Sequence, residues 1–204
     1  MARGDTIHEF WFGTLDAQGR APAERQARWF RPDPDFDRHV RGRFEADLRA
    51  AASGRRRQWE REPRSALALV LLFDQFPRNM YRGTPRAFMF DARARACLKA
   101  ALEQGLERAL WPIERTFLFM PLQHAEDLAA QDESVHRFEA LVAEVPVDQR
   151  DLFEEFARYA REHREVIAAF GRFPHRNAIL GRVSSETEQE YLATGGANWG
   201  QGTG

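Results

Sequence analysis

The chain has 204 residues, 43% of them hydrophobic, with 31 acidic against 30 basic side chains and a net charge of −1. A chain of this length buries a sizeable core, and the charge balance excludes the strong positive field that general nucleic-acid or membrane-surface binding requires. Cys97 is the only cysteine, so no internal disulfide can form and nothing points to an oxidising compartment.

Residues Met1 to Thr6 lack the apolar run of a signal peptide. The longest apolar stretch, Ala66 to Phe73, is far short of the ~20 residues that span a bilayer. The expectation is a cytoplasmic protein without a membrane partner. Lys99 is the only lysine, with arginine supplying the other basic residues, a bias of base composition that is not by itself functional evidence.

Helix signals run from end to end. Asp33 followed by Pro34 reads as an N-cap with proline at the first helical position, and Phe36, Val40, Phe44, Leu48 and Ala51 recur at helical spacing up to Gly54. Pro63 opens a helix in which Leu67 to Phe73 is apolar all round, so it belongs at the centre of the fold. Thr84-Pro85 is expected to cap a third, which turns Ala87, Phe88, Ala94, Cys97, Leu98 and Ala101 inward and ends at Gly105. Cys97 there reads as an inert core thiol.

Pro112 starts a shorter helix that Pro121 kinks or divides. Asp132 is expected to cap the stretch carrying Val135, Phe138, Leu141 and Val142, and Asp148 to start the longest run, with Leu152, Phe156, Tyr159, His163, Val166, Ile167 and Phe170 on one face. His163 in that stripe reads as a satisfied core histidine. Ser185 with Glu188 forms a capping box for a last short helix, and the glycine-rich stretch 195–204 reads as a loose tail unless Trp199 anchors it. No stretch alternates convincingly as a strand. The predicted fold is a single all-α domain over 1–204, built of antiparallel helix pairs.

Two segments echo each other: Asp74-Gln75-Phe76-Pro77-Arg78-Asn79 and Gly171-Arg172-Phe173-Pro174-His175-Arg176-Asn177. A Phe-Pro step disfavours helix for the residue before proline, so both steps are expected at helix C-termini, with Arg and Asn held on the bend beyond. Asp74 follows seven apolar positions; it is expected to be buried and to need a cation, for which Arg78, Arg82, Arg172 and Arg176 are the candidates. If the bends face one another they form a cationic pocket, with Asn79 and Asn177 either binding a ligand or tying down free helix-end carbonyls.

A third polar cluster runs from Met120 to Asp127, in which His124 and Asp127 fall on one helix face with Gln131 one turn beyond, an arrangement that would orient an imidazole. Glu126 is the alternative orienting group. There is no HExxH, no paired cysteine, no GxxxxGK[ST], no GxGxxG and no GxSxG, so no metal and no cofactor is assigned.

Phe10-Trp11-Phe12-Gly13, the Asp74 motif with Tyr81-Arg82-Gly83-Thr84, Met120-Pro121-Leu122 with His124 and Glu126-Asp127, and the Gly171 motif with Leu180-Gly181-Arg182 together resemble the bacterial "domain of unknown function 924". The resemblance covers about residues 7–202 and implies a tetratricopeptide-like fold of stacked helix pairs, with no established activity. Ala125 stands where that family commonly has serine and Trp199 where it has phenylalanine.

Two function classes follow. In the first, a helical-repeat binding module holds an anionic small molecule or a peptide carboxylate on Asp74, Arg78, Asn79, Arg82, Arg172, His175, Arg176 and Asn177. In the second, a metal-independent enzyme uses His124 as general base, oriented by Asp127 or Glu126, while arginines stabilise developing negative charge. A purely structural polar network is the remaining alternative.

Overall fold

The computed structural model describes residues 3–197 and 199–200, and among them it is helical with no strand. The helices are α1 (Arg3–Phe12), α2 (Ala23–Trp29), α3 (Pro34–Ala52), α4 (Pro63–Phe73), α5 (Gln75–Met80), α6 (Asp91–Glu103), α7 (Pro112–Gln123), α8 (Leu128–Glu144), α9 (Arg150–Phe170), α10 (Asn177–Leu180) and α11 (Glu186–Ala193). Among the described residues no helix is long and apolar enough to cross a membrane.

The centre is α4. Every residue from Ala66 to Phe73 is buried, and a helix apolar on all sides can satisfy them only by being surrounded; α1, α3, α6 and α7 pack around it. An aromatic cluster joins these layers, with Trp11 5.5 Å from Phe76 and 5.6 Å from Phe117 between ring centres, and Phe44 4.9 Å from Phe76. Helices α7, α8 and α9 pack in chain order, and their short connections make neighbours antiparallel. A smaller apolar group, Val166, Ile167 and Phe173, closes the end where α9 meets the second bend.

Several boundaries differ from expectation, each for a local reason. Asp33 does cap α3, accepting from the N–H groups of Asp35 and Phe36. The α8 cap is Asp127, whose carboxylate accepts from Ala130 N–H, so the helix begins earlier than Asp132 suggested; Asp132 instead pairs across to Arg164. Asp148 lies in a 3₁₀ turn before α9 and pairs with Arg20, and Thr84-Pro85 opens a 3₁₀ turn, with α6 beginning only at Asp91. Pro121 lies within α7 without dividing it. The Ser185 capping box of α11 is formed as expected. Cys97 is half-buried, and its thiol is pushed up to about 12 by burial and by Glu60, which keeps it unreactive.

The Phe-Pro steps are a correction. Neither ends the helix before it. At the first, α4 stops at Phe73 and Phe76-Pro77 falls in the opening turn of α5. Proline has no N–H and its ring collides with the carbonyl four residues back, here Phe73, so it interrupts the ladder upstream and is tolerated in a first turn whose N–H groups have no helical partner. At the second, Gly171 ends α9 at φ 68°, and Pro174 opens a 3₁₀ turn. In the C-terminal tail, Asn198 and residues 201–204 lie outside the described residues, whereas Trp199 and Gly200 are packed against the fold.

Leu67, on the central helix and 0% exposed, is surrounded by helices that cannot collapse independently. Leu67→Ala is expected to lower unfolding free energy by about 2–5 kcal/mol, measured by urea denaturation; a loss below about 1 kcal/mol contradicts the central placement of α4.

Candidate functional site

The break between α4 and α5 leaves Asp74 pointing inward with no exposed surface. Its carboxylate is held on three sides. The Nδ1 of His124 lies 2.7 Å from Oδ1, Gln75 Nε2 donates to Oδ2 at 2.5 Å, and Arg78 Nη1 approaches Oδ1 at 3.2 Å while donating to the Asp74 carbonyl at 2.8 Å. Arg78 then reaches across to α6, where Nη1 and Nη2 form a fork on Asp91 at 3.0 and 3.1 Å. The second oxygen of Asp91 receives Arg176 Nη1 from the second bend at 3.5 Å. One chain of charged contacts thus links His124, Asp74, Arg78, Asp91 and Arg176.

That chain forms the floor of a cavity of about 430 Å³. Gln75, Arg78, Asn79, Arg82, Gln123, His124, His163, His175 and Arg176 supply its polar surface, and Trp29, Phe30, Met120, Phe156, Tyr159 and Trp199 its apolar walls. Trp199 stacks on His163 with ring centres 3.7 Å apart, and Gly200 accepts from Arg82 Nη1 at 2.8 Å, so the segment after α11 closes one side.

Of the residues expected in the site, Asp74, Arg78, Asn79, Arg82, His124, His175 and Arg176 meet at this cavity or directly beneath it. Asn79 and Arg82 both bond to Asp37 on α3, so their free hydrogen-bonding capacity is partly consumed. Arg172 does not reach the cavity; it pairs with Glu188 of α11. Asn177 is buried against Ser184 and Arg182, and among the described residues neither asparagine ties down a helix-end carbonyl by a side-chain bond; Arg78 does that at Asp74, while Arg182 donates to the Phe173 carbonyl of the second bend.

The expected orientation of His124 is also corrected. Asp127 caps α8, Gln131 donates to the carbonyls of Gln123 and Ala125, and Glu126 accepts from Phe173 N–H and a two-pronged Arg182. These groups build the loop that carries His124 and dock the second bend on it. The ring itself is aimed by Asp74, 50 positions away. Because Asp127 heads a new helix, its side chain turns back onto its own N–H groups and cannot serve a residue of α7.

Sequence reading missed Asp91 and Asp37, acids near helix starts that look like ordinary dipole partners, and the aromatic walls, which look like core. Gln75, between Asp74 and Phe76 in the motif, carried a visible signal. His163 is buried as expected, its Nδ1 2.7 Å from the Tyr159 carbonyl, but it also lines the cavity. Although three histidines border this space, no group of metal-ligating side chains among the described residues is arranged to hold an ion.

Electrostatics follow from burial and from Arg78. Burial by itself opposes ionisation of Asp74, but Arg78, His124 and Gln75 outweigh it and hold the carboxyl at about 2. Burial and the Arg78 cation push His124 below its ordinary value, with Asp74 offsetting only part. At neutral pH the imidazole is therefore uncharged, its Nδ1–H donates to Asp74, and Nε2 is left without a hydrogen-bond partner among the described residues. Burial lowers His163 strongly, and burial with Arg176 lowers His175 to about 3. Burial and Arg78 depress even Arg176, to about 10.

A family model described as "Bacterial protein of unknown function (DUF924)" matches residues 7–196. The chain belongs to the DUF924 family. The solved structure of a protein of unknown function from Agrobacterium tumefaciens is similar to it, with 34% sequence identity, a TM-score of 0.79, and coverage of 94% of this chain and 97% of that one. No curated protein matches. The DUF924 match ends before Trp199 and Gly200, so part of the cavity wall lies outside the matched segment.

For this DUF924 protein, Asp74→Ala removes one of the two carboxylates that neutralise the buried Arg78 guanidinium and the Nδ1 partner of His124, and is expected to cost about 3–5 kcal/mol, read by urea denaturation; a change too small to measure contradicts the charge chain. The histidines set a pH dependence. An unfolded chain takes up protons near about pH 6.5, whereas folding holds His124, His163 and His175 neutral to lower pH, His175 to about 3. Unfolding therefore gains protons, so stability is complete above about pH 6.5 and falls as pH drops below it. Asp74, held at about 2 against 3.8, adds loss only at lower pH. The urea midpoint should decline from about pH 7 to about pH 5, less steeply in His175→Asn; a flat midpoint in the wild type rules this out.

Proposed function

We propose that the cavity binds a small organic anion with an apolar body, such as a carboxylate, or the carboxylate of a peptide. The observation that carries this is the uneven compensation of Arg176. Arg78 has two carboxylates, Asp74 and Asp91, and Arg82 has Asp37. Among the described residues Arg176 has only the far oxygen of Asp91 at 3.5 Å, and its Nε is buried without a partner. Its neighbour His175 likewise has a buried, unpartnered Nδ1.

Burying a guanidinium with so little compensation is costly, and an anion beside it supplies the missing partner. The group is held ready for one: its Cζ lies 4.6 Å from the centre of the Phe88 ring and 4.5 Å from that of Phe173, a stack that restrains the planar fork. The cavity volume, about 430 Å³, falls in the range of small-molecule sites, roughly 300–1,000 Å³, and the aromatic walls suit an apolar body. A lone, unreactive Cys97 fits a cytoplasmic setting.

Calorimetry with 3-phenylpropionate and its neutral amide tests this. The acid should bind and raise the melting temperature, as any ligand selective for the folded state does, while the amide should not. Arg176→Lys keeps the charge but loses the fork and the stack, and should weaken the acid about tenfold or more. Equal binding of acid and amide, or an unchanged affinity in Arg176→Lys, overturns the proposal.

A further inference from the structure

Resting on the anion-binding role above, we infer that His124 is a catalytic base for proton transfer at carbon on a bound 2-oxo acid, with Asp74 as its positioning residue. The geometry assigns the two ends of the reaction. His124 Nδ1 is engaged by Asp74 Oδ1 at 2.7 Å, which places the ring's other nitrogen, Nε2, as the acceptor on a residue that lines the cavity. Arg176 lines the same cavity, and among the described residues its guanidinium has a single carboxylate contact, from Nη1 to Asp91 at 3.5 Å. The two are held at a fixed separation by the intervening contacts of Asp74, Arg78 and Asp91.

This is the arrangement proton abstraction needs: a base held in one tautomer by a buried carboxylate, and a cation where negative charge develops. Burial and Arg78 keep His124 deprotonated at neutral pH, so the base is available without prior loss of a proton. No Ser, Thr, Cys or Lys is among the described residues lining the cavity, so the groups there able to take part in chemistry are its histidines and Tyr159. His124, with one ring nitrogen bonded to a buried carboxylate, is set to take and return a proton.

A 2-oxo acid matches these demands. Its carboxylate pairs with Arg176, and an apolar substituent fits the walls formed by Trp29, Phe156, Tyr159 and Trp199. The carbon beside the oxo group carries the acidic hydrogen. In the step, that C–H bond breaks and its proton goes to His124 Nε2. The bonding pair becomes a carbon–carbon double bond, and the carbonyl π pair moves onto oxygen to give an enolate. The imidazolium is paired with Asp74, and the enolate charge faces Arg176. Return of a proton to carbon regenerates the keto acid; return to oxygen gives the enol. Nothing is oxidised or consumed, and in deuterated water the returned atom is deuterium.

The test uses phenylpyruvate with the full-length protein, following exchange of its benzylic hydrogens in deuterated water by proton NMR, with calorimetric binding of the same compound alongside. Wild type should accelerate exchange over the buffer rate. His124→Gln should bind within about threefold of wild type yet lose the acceleration by about a hundredfold or more. Asp74→Asn keeps an acceptor for Nδ1–H but removes the charge that stabilises the imidazolium; it should slow exchange about tenfold or more and move the acid limb of the pH profile lower. Should Asp74→Asn not fold, the acid limb of the wild-type profile, expected below about pH 6.5, serves instead.

Wild-type binding without accelerated exchange, or full acceleration in His124→Gln, overturns the catalytic inference and leaves anion binding standing. Absence of both binding and exchange with phenylpyruvate, together with no binding of 3-phenylpropionate, overturns both.

Discussion

A single buried carboxylate organises this end of the molecule. Asp74 has no contact with solvent, and an ionised carboxyl so placed is tolerable only if its surroundings replace water almost completely. The replacement takes one guanidinium, one imidazole and one amide, contributed by α5, by the end of α7 and by the residue next in the chain. Each recruited group then has needs of its own. Arg78 requires more negative charge than Asp74 can share, so Asp91 is drawn in from α6, and Asp91 in turn meets Arg176 from the bend after α9. The cavity floor is what results when one buried charge is neutralised by stages.

Compensation weakens along that chain. At the Asp74 end the contacts are 2.5 to 3.2 Å, and at the Arg176 end the sole carboxylate contact among the described residues is 3.5 Å, with Nε unpartnered. An outer ring of pairs, Arg82 with Asp37, Arg182 with Glu126 and Arg172 with Glu188, is short and well matched. The contrast matters because unsatisfied donors inside a low-dielectric space interact more strongly with an incoming anion than the same groups on a wet surface. Aromatic walls, including Trp199 stacked on His163, bound that space.

Membership of DUF924 and likeness to a protein that is itself of unknown function leave chemistry to be argued from side chains, since one fold hosts many functions. Helical pairs here act as a rigid frame. The groups that could act on a ligand lie where helices stop: Asp74 between α4 and α5, His124 at the end of α7, and His175 and Arg176 in the turn after α9. Helix ends carry unpaired backbone groups and polar side chains to serve them, so they are where polarity can be gathered without disturbing the apolar faces.

Much of this was decided locally and could be read from the sequence. Helical spacing marked the elements, the all-apolar run from Ala66 to Phe73 marked the central helix, and Ser185 with Glu188 marked the last cap. An acid at the end of that apolar run had to be buried and paired, which singled out Asp74 and left four arginines in two motifs as candidate partners. The Phe-Pro steps signalled bends, although proline acts on the carbonyl four residues upstream and so displaced each break toward the N-terminus. Tertiary structure alone decided the partners. Asp127 and Gln131, neighbours of His124 in sequence, serve their own backbone, while Asp74, 50 positions distant, aims its ring. Arg172 and Arg176 sit in one motif yet turn to opposite duties, one to Glu188 and one to the cavity. A side chain's type and helical phase follow from the chain itself, but which charge it meets depends on how helices remote in sequence stack, and the energy that selects the pairing exists only once they enclose it.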